Sequence, residues 1–423
     1  MKKRNAMTRR ELLRRAAAGA AAVAAPYVLT SHALGAPGTP PASDRVTLAV
    51  IGTGGRAGAF LSQSPILAVC DVDGARVQAA KQRVGGDDPG VKAYSDFREV
   101  LARGDIDAVV ITAPDHWHCQ MSAMAAKAGK DVYCEKPLSS YIAESRVLAG
   151  VLARSGTVFQ TGSQQRSSGE FRLACELVRN GYIGELKKVT VGILSGKAIG
   201  PEAPEPVPAG FDYDLWLGPA PWAPYTKSRC HYNFRFQLDY AAGKLSDWGA
   251  HHLDIAQWGL GCDRSGPVEI EGQGAFPAEG IFDAATTFNF TCTYANGLKL
   301  YCSDKFPLGI RFDGREGSVF VTRGELVTQP ASLRTVKLKP GEVHLYNSRN
   351  HWTNFIDCVR SRNETAAPVE VAHRTVSICH LANVAMLLGR RVRWDPAGEQ
   401  FPGDDEANRM PMVNRARREP WIF

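Results

Sequence analysis

The feature that most constrains the fold is an apolar run at residues 46–51, interrupted only by Thr47. It ends in Gly52-Thr53-Gly54-Gly55-Arg56-Ala57-Gly58. A strand with no polar alternation must be covered on both faces, which is the habit of parallel sheets. Glycines directly after it let the backbone turn tightly and come close to a ligand. Further short apolar runs at 66–70, 108–112, 131–134 and 157–160 alternate with helical patterns at 74–84, 96–102, 117–128 and 143–152. Such alternation predicts a parallel sheet with helices on both faces. Only seven residues separate Gly58 from Ile66, so the first helix must be short.

The texture changes after Gly162. A helical stretch at 170–180 and a strand at 188–194 precede a proline-rich loop, 200–225, too long for a mere connector. Strand patterns dominate 268–338, with Asn296-Gly297 as a hairpin turn, and a helix at 373–388 follows. The expected fold class is α/β. It comprises an N-terminal Rossmann dinucleotide-binding domain (45–161) and a C-terminal α/β domain (162–388) with a large, mostly antiparallel open sheet. A C-terminal arm, 389–423, ends in apolar Trp421-Ile422-Phe423.

The formal charge of +7 misleads about partners. Residues 1–36 carry seven basic groups and one acid, Glu11; without that net +6 the remainder is +1, which leaves no electrostatic case for nucleic acid. Paired Arg9 and Arg10, an alanine-rich run at 16–29 and small residues at 31–33 read as a twin-arginine export signal, with a linker at 37–44. The run is short and Pro26 interrupts it, which argues against a membrane anchor. The expected location is the periplasm, reached folded through the twin-arginine machinery. The ten cysteines contain no C-x-x-C pair and several sit in apolar runs, so buried free thiols are expected; Cys292 and Cys302 could meet across a hairpin.

In the glycine loop, Gly52, Gly54, Gly55 and Arg56 are candidates to cradle a pyrophosphate at a helix N-terminus. Asp71 ends the next strand, nineteen residues after Gly52, where a carboxylate bonds both ribose hydroxyls and repels a 2′-phosphate. The expected cofactor is therefore NAD rather than NADP, with nearby Arg76 the one group favouring the latter.

Glu135-Lys136-Pro137 follows the strand at 131–134, at the sheet edge where ligands of open α/β sheets bind. The proline disfavours a helical Lys136, and its ammonium there can steady a developing alkoxide. Asp247 and His251 stand four apart; if Ser246 caps a helix, both lie on one face. A neutral imidazole is a natural proton acceptor near neutral pH, and a neighbouring carboxylate would raise its basicity and orient it. His251, His252 and Asp254 could instead suggest metal, but adjacent histidines on a helix point about 100° apart, a poor ligand geometry. Pro114 and His118, after the strand at 108–112, reach the cofactor edge, His118 on the nicotinamide side. Gln164, Gln165, Arg166, Arg235 and His252 are candidate substrate contacts.

Taken together, Gly52–Gly58, Asp71, Glu135-Lys136-Pro137 and Asp247-x-x-x-His251 resemble the glucose–fructose oxidoreductase / inositol dehydrogenase (Gfo/Idh/MocA) family. Its exported branch has stretches similar to 212–219 and 248–254. The resemblance implies Lys136 as catalytic lysine, Asp247 and His251 at the catalytic Asp and His positions, a tightly held nicotinamide, and a homo-oligomer, dimer or tetramer, built on the open sheet. The expected activity is an NAD(P)-dependent oxidoreductase moving hydride between a sugar, polyol or glycoside hydroxyl carbon and the nicotinamide. Two alternatives stand beside it: glycoside cleavage through transient oxidation and elimination, and a non-catalytic sugar binder. The lysine argues against the first, because the best-known glycoside-cleaving relatives lack it. The intact Lys, Asp and His argue against the second.

Overall fold

The computed structural model describes residues 45–422 except Ser64 and Asp87. The twin-arginine leader and its linker lie outside the described residues. Strands β1 (Leu48–Ile51), β2 (Ile66–Cys70), β3 (Lys92–Tyr94), β4 (Ala108–Ile111), β5 (Asp131–Cys134) and β6 (Phe159–Thr161) form one parallel sheet in the order β3-β2-β1-β4-β5-β6. The order reverses beside β1, so the crevice at the carboxyl ends of β1 and β4 is the place where such sheets take a ligand. β1, β4 and β5 are buried at every residue, as the apolar runs of β1 and β4 require, and in β5 the only charged residue is Asp131. β3, the edge strand, was not among the expected strands; Lys-Ala-Tyr has no apolar run to reveal it.

Helices α1 (Gly74–Gly85), α2 (Phe97–Leu101), α3 (Asp115–Lys127) and α4 (Ile142–Ser155) accompany the sheet. Between β1 and β2 the chain makes only a 3-10 turn, Gly55–Ala59. The expected helix is so short that no α-helix N-terminus faces the glycine loop. Anion binding there rests on the loop's own N–H groups and on Arg56.

Beyond helix α5 (Gly169–Arg179) lies the second sheet: β7 (Leu186–Gly192), β8 (Glu269–Ala275), β9 (Thr287–Thr293), β10 (Lys299–Ser303), β11 (Gly309–Gly314), β12 (Ser318–Thr322), β13 (Glu325–Gln329) and β14 (Val392–Arg393). Its order is β13-β12-β11-β7-β10-β9-β8-β14, with only β7–β10 parallel. Gly297 supplies the positive φ of the β9–β10 hairpin, where Tyr294 and Leu298 pair. Cys292 stands opposite Leu300 and Cys302 opposite Phe290, so the two thiols are not bridged; all ten cysteines are free.

Within the long loop a short helix, α6 (Tyr213–Leu217), brings Trp216 to the first domain. Helix α7 (Gly243–Leu260) then crosses the back of the second sheet; α8 (His351–Ser361) and α9 (Val369–Leu388) follow. α7 and α9 approach closely at Gly249, where an added Cβ would stand 2.9 Å from the Cys379 sulfur. α9 is the one described helix long and apolar enough to cross a membrane, and here it is a buried core helix. The C-terminal arm returns to the first domain, where Trp421 packs on Trp117 and Phe97.

One side of α7 is locked into the core. The His252 Nδ1 lies 2.7 Å from the Gly192 carbonyl at the end of β7. Arg166 donates two bonds of 2.8 Å to Asp254, and Thr375 on α9 adds a third. Arg166 and Asp254 are fully enclosed, so removing Asp254 leaves the buried guanidinium with only the longer contact to Asp263, at 3.2 Å. We expect Asp254→Ala to cost about 3–5 kcal/mol in urea unfolding. A loss below about 1 kcal/mol would contradict a structural role for the pair.

Candidate active site

Two cavities meet at Arg56. The first, about 590 Å³, runs along the glycine loop past Asp71, Ser95, Pro114 and Trp216 to Arg235. The second, about 520 Å³, is walled by Glu135, Lys136, Gln165, Trp248, His251 and Arg323.

The first has the form of a dinucleotide cleft. Gly52 has φ +84°, and a Cβ there would lie 2.6 Å from the Ala113 nitrogen, so the β1 and β4 turns touch only because this residue is glycine. A Cβ at Gly55 would meet nothing within 4 Å, which leaves the loop open toward the cleft. Asp71 ends β2 in the cleft wall, its carboxylate accepting from the Thr53 N–H at 2.6 Å, the Thr53 hydroxyl at 2.9 Å and the Asp73 N–H at 3.0 Å. A carboxylate oriented by its own loop is suited to vicinal ribose hydroxyls. Arg76, the group that could favour a 2′-phosphate, is drawn to Asp73 at 3.1 Å. These residues fit a nicotinamide dinucleotide: Gly52, Gly54 and Gly55 would pass its pyrophosphate and Asp71 its ribose.

At the far end, Lys136 and Asp247 converge from opposite domains. The Lys136 Nζ donates 2.8 Å bonds to the Asp247 Oδ1 and to its backbone carbonyl. Lys244, one turn earlier on α7, holds Oδ2 at 2.6 Å, and Arg235 stands 3.7 Å from the same oxygen. Burial opposes its charge, but these three cations keep the Asp247 carboxyl well below the usual carboxylate range. Lys244 escaped the sequence reading, although its position three residues before Asp247 was a usable signal.

His251 lines the second cavity, and neither ring nitrogen bonds a group of the described residues; Nδ1 is buried without a partner among them. Burial first, then the charges of Lys136 and Arg323, hold its pKa well below the ordinary histidine value, so it is neutral at physiological pH. Two expectations change here. Ser246 does not cap the helix, which begins at Gly243; its hydroxyl is turned back to the first-turn backbone. Asp247 does not orient His251 either. Its oxygens are committed to lysines, so it acts on Lys136.

The remaining candidates divide. Glu135 accepts from Arg56 at 2.7 Å and from Gln164 at 3.0 Å, and Gln164 and Gln165 both line the second cavity. Pro114 and Arg235 line the first. Three residues turn away. Arg166 is spent on Asp254 and on Asp263 at 3.2 Å. His252 faces β7, and its pKa is pushed down to about 4 by burial. His118 lies beneath the cleft, with its ring nitrogens 2.6 Å from the Pro137 carbonyl and 2.8 Å from that of Ala113, so it braces the two sheet-edge turns rather than lining the nicotinamide side. With His252 and Asp254 so committed, the two do not converge with His251 on one point. Asp115, at the start of α3, is buried near Lys136, Asp247 and Arg235; burial pushes it up to about 7. Arg323, in the β12–β13 turn, reaches the second cavity from 63 residues beyond the end of α7, and no sequence signal announces it.

The depressed His251 pKa gives a direct check. Followed by NMR in protein with ¹⁵N-labelled histidine, the ring should stay neutral as pH falls through 6.5. A titration midpoint at or above that value would contradict the burial described.

Comparison with known proteins gives the same outline. Residues 46–163 match the model of an oxidoreductase family's NAD-binding Rossmann fold (GFO_IDH_MocA), and residues 175–423 match that family's C-terminal alpha/beta domain. Among curated proteins, an uncharacterized oxidoreductase, YrbE of Bacillus subtilis, is 26% identical over 256 residues, 59% of this chain and 62% of that protein. Myo-inositol 2-dehydrogenase of Thermotoga maritima is 30% identical over 126 residues, 30% of this chain and 36% of its own length. The chain thus spans less than two thirds of the curated relatives it matches. Among solved structures, the WlbA dehydrogenase of Bordetella pertussis in complex with NADH and UDP-GlcNAcA superimposes with a TM-score of 0.61 at 17% identity, covering 83% of this chain and 99% of that one. Levoglucosan dehydrogenase in complex with NADH and L-sorbose gives 0.59 at 18%, covering 82% and 98%.

Proposed function

The chain belongs to the Gfo/Idh/MocA oxidoreductase family and carries its NAD-binding Rossmann domain, and from that premise we propose that it moves hydride between a hydroxyl-bearing carbon of a sugar, polyol or glycoside and a retained NAD. The observation that carries this reading is the meeting of Lys136, Asp247 and His251 at the end of a dinucleotide-shaped cleft. Bound NAD supplies the hydride acceptor. Lys136, steadied by Asp247, donates to the substrate hydroxyl oxygen and stabilises the negative charge that grows there as the C–H bond weakens. His251, neutral and without a protein partner, takes the hydroxyl proton. Asp247 needs to stay ionised throughout, which its three cations ensure.

The leader supports a location as well as an activity. Arg9-Arg10 with the apolar stretch behind it belongs to the twin-arginine type, which exports folded proteins. A cofactor loaded before export and held afterwards would be recycled between two substrates in the periplasm. The eight-stranded sheet is the surface on which a homo-oligomer would form.

Two experiments test these readings. Lys136→Met should lower turnover by about a thousandfold, since it removes an electrostatic stabiliser, while the protein still purifies with its nucleotide. Near-normal rates would end the assignment of Lys136. Replacing Arg9 and Arg10 by lysines should leave the protein in the cytoplasmic fraction, whereas unchanged periplasmic recovery would refute the export route.

A further inference from the structure

The second cavity has more positive charge than a neutral polyol calls for. Its wall carries three cations, Arg56, Lys136 and Arg323, and a single carboxylate, Glu135. Two of the cations are already paired: Arg56 with Glu135 at 2.7 Å, and Lys136 with Asp247 at 2.8 Å. Arg323 makes no hydrogen bond or ion pair with a described residue. Its guanidinium lies over the Trp248 ring, 4.9 Å from the centroid. A cation held over a ring face keeps its N–H groups available to a further partner, and Arg323 lines the cavity. Burial and the like charge of Arg56 lower its pKa, the reverse of what a partner carboxylate would do.

A second observation comes from a buried amide. Gln165 is 3% exposed, lines the same cavity, and neither its amide oxygen nor its nitrogen has a partner. Buried amides are normally satisfied, so the same cavity holds an open donor and acceptor as well as an open guanidinium. Arg323 and Gln165 border only this cavity, whereas the glycine loop borders the other. The dinucleotide's phosphates therefore do not account for Arg323.

We infer that the substrate is an anionic polyol, a sugar or sugar-derived acid whose carboxylate or phosphate is received by Arg323 while Gln165 bonds its hydroxyls. The inference rests on the proposed reading for the position of the reacting hydroxyl, between Lys136 and His251. A planar fork serves a carboxylate or a phosphate equally, and charge-assisted bonds of this kind exceed those that a neutral hydroxyl makes. Arg323 is thus a specificity residue. It contributes to ground-state binding, and the proton chemistry stays with Lys136 and His251.

The test uses the full-length, NAD-loaded protein and matched probes: glucuronate and glucose 6-phosphate against glucose, galacturonate against galactose, and gluconate against sorbitol. Calorimetry should find at least one acid that binds about tenfold or more tightly than its neutral partner. The carboxylate and phosphate arms identify which anion is preferred. Arg323→Gln should abolish the preference, and Arg323→Lys should restore part of it, with nucleotide content and Tm unchanged in both. If no acid outbinds its neutral partner, or if the preference survives Arg323→Gln, the inference is wrong. Absorbance of reduced nicotinamide is recorded on the same samples. An acid that binds through Arg323 but never reduces the nicotinamide would sink the redox reading and leave the anion site standing.

Discussion

The structure of the site depends on one ion pair, Lys136 to Asp247 at 2.8 Å. Its partners come from the edge of the first sheet and from the helix that backs the second, 111 residues apart. The pair is largely buried, so it persists only because further groups share the charge. Lys244 and Arg235 take the other carboxylate oxygen, and the Asp247 carbonyl takes a second proton of the lysine. A buried pair rarely adds much stability against an apolar alternative. Its value here is positional: it sets an ammonium at the mouth of the dinucleotide cleft and biases the neighbouring imidazole toward its neutral form.

That arrangement needs a rigid α7, and the helix achieves this by dividing its faces. Lys244 and Asp247 face Lys136 and His251 lines the second cavity, whereas His252 and Asp254 are tied to β7, Arg166 and α9. Gly249 lets α9 lie close enough to supply one of those ties. The first domain is braced in a comparable way. His118 links the turns after β4 and β5, and the arm's Arg417 bonds Glu144 and Tyr141 on the neighbouring helix. The candidate site groups stand on scaffolding made of buried polar contacts, and their neighbours in sequence are mostly that scaffolding.

Much of this was legible beforehand for definite reasons. The parallel sheet announced itself because its central strands are buried on both faces and so are almost wholly apolar. The glycine loop, Asp71 and Lys136 were placed because strand ends dictate where they must lie. Three-dimensional commitments were not legible. Arg166, His252 and His118 have the chemistry of binding groups, but each is consumed by a partner far away in sequence or by a backbone carbonyl. Spacing alone could not assign Asp247 to Lys136 in preference to His251, since its partner depends on how the two domains meet. Arg323 was invisible because a hairpin turn carries no mark of the cavity it overhangs. β3 escaped because an edge strand of three residues need not be apolar.

The central claim is that the two cavities are one active site, the nicotinamide lying where they join at Arg56. A crystal structure of the protein with its dinucleotide bound tests this most directly. The account requires the pyrophosphate on the loop at 52–55, a ribose on Asp71, and the nicotinamide ring between Pro114 and Lys136 with His251 facing it across the second cavity. A dinucleotide lying the other way along the cleft, or a nicotinamide ring beyond reach of Lys136 and His251, would contradict it.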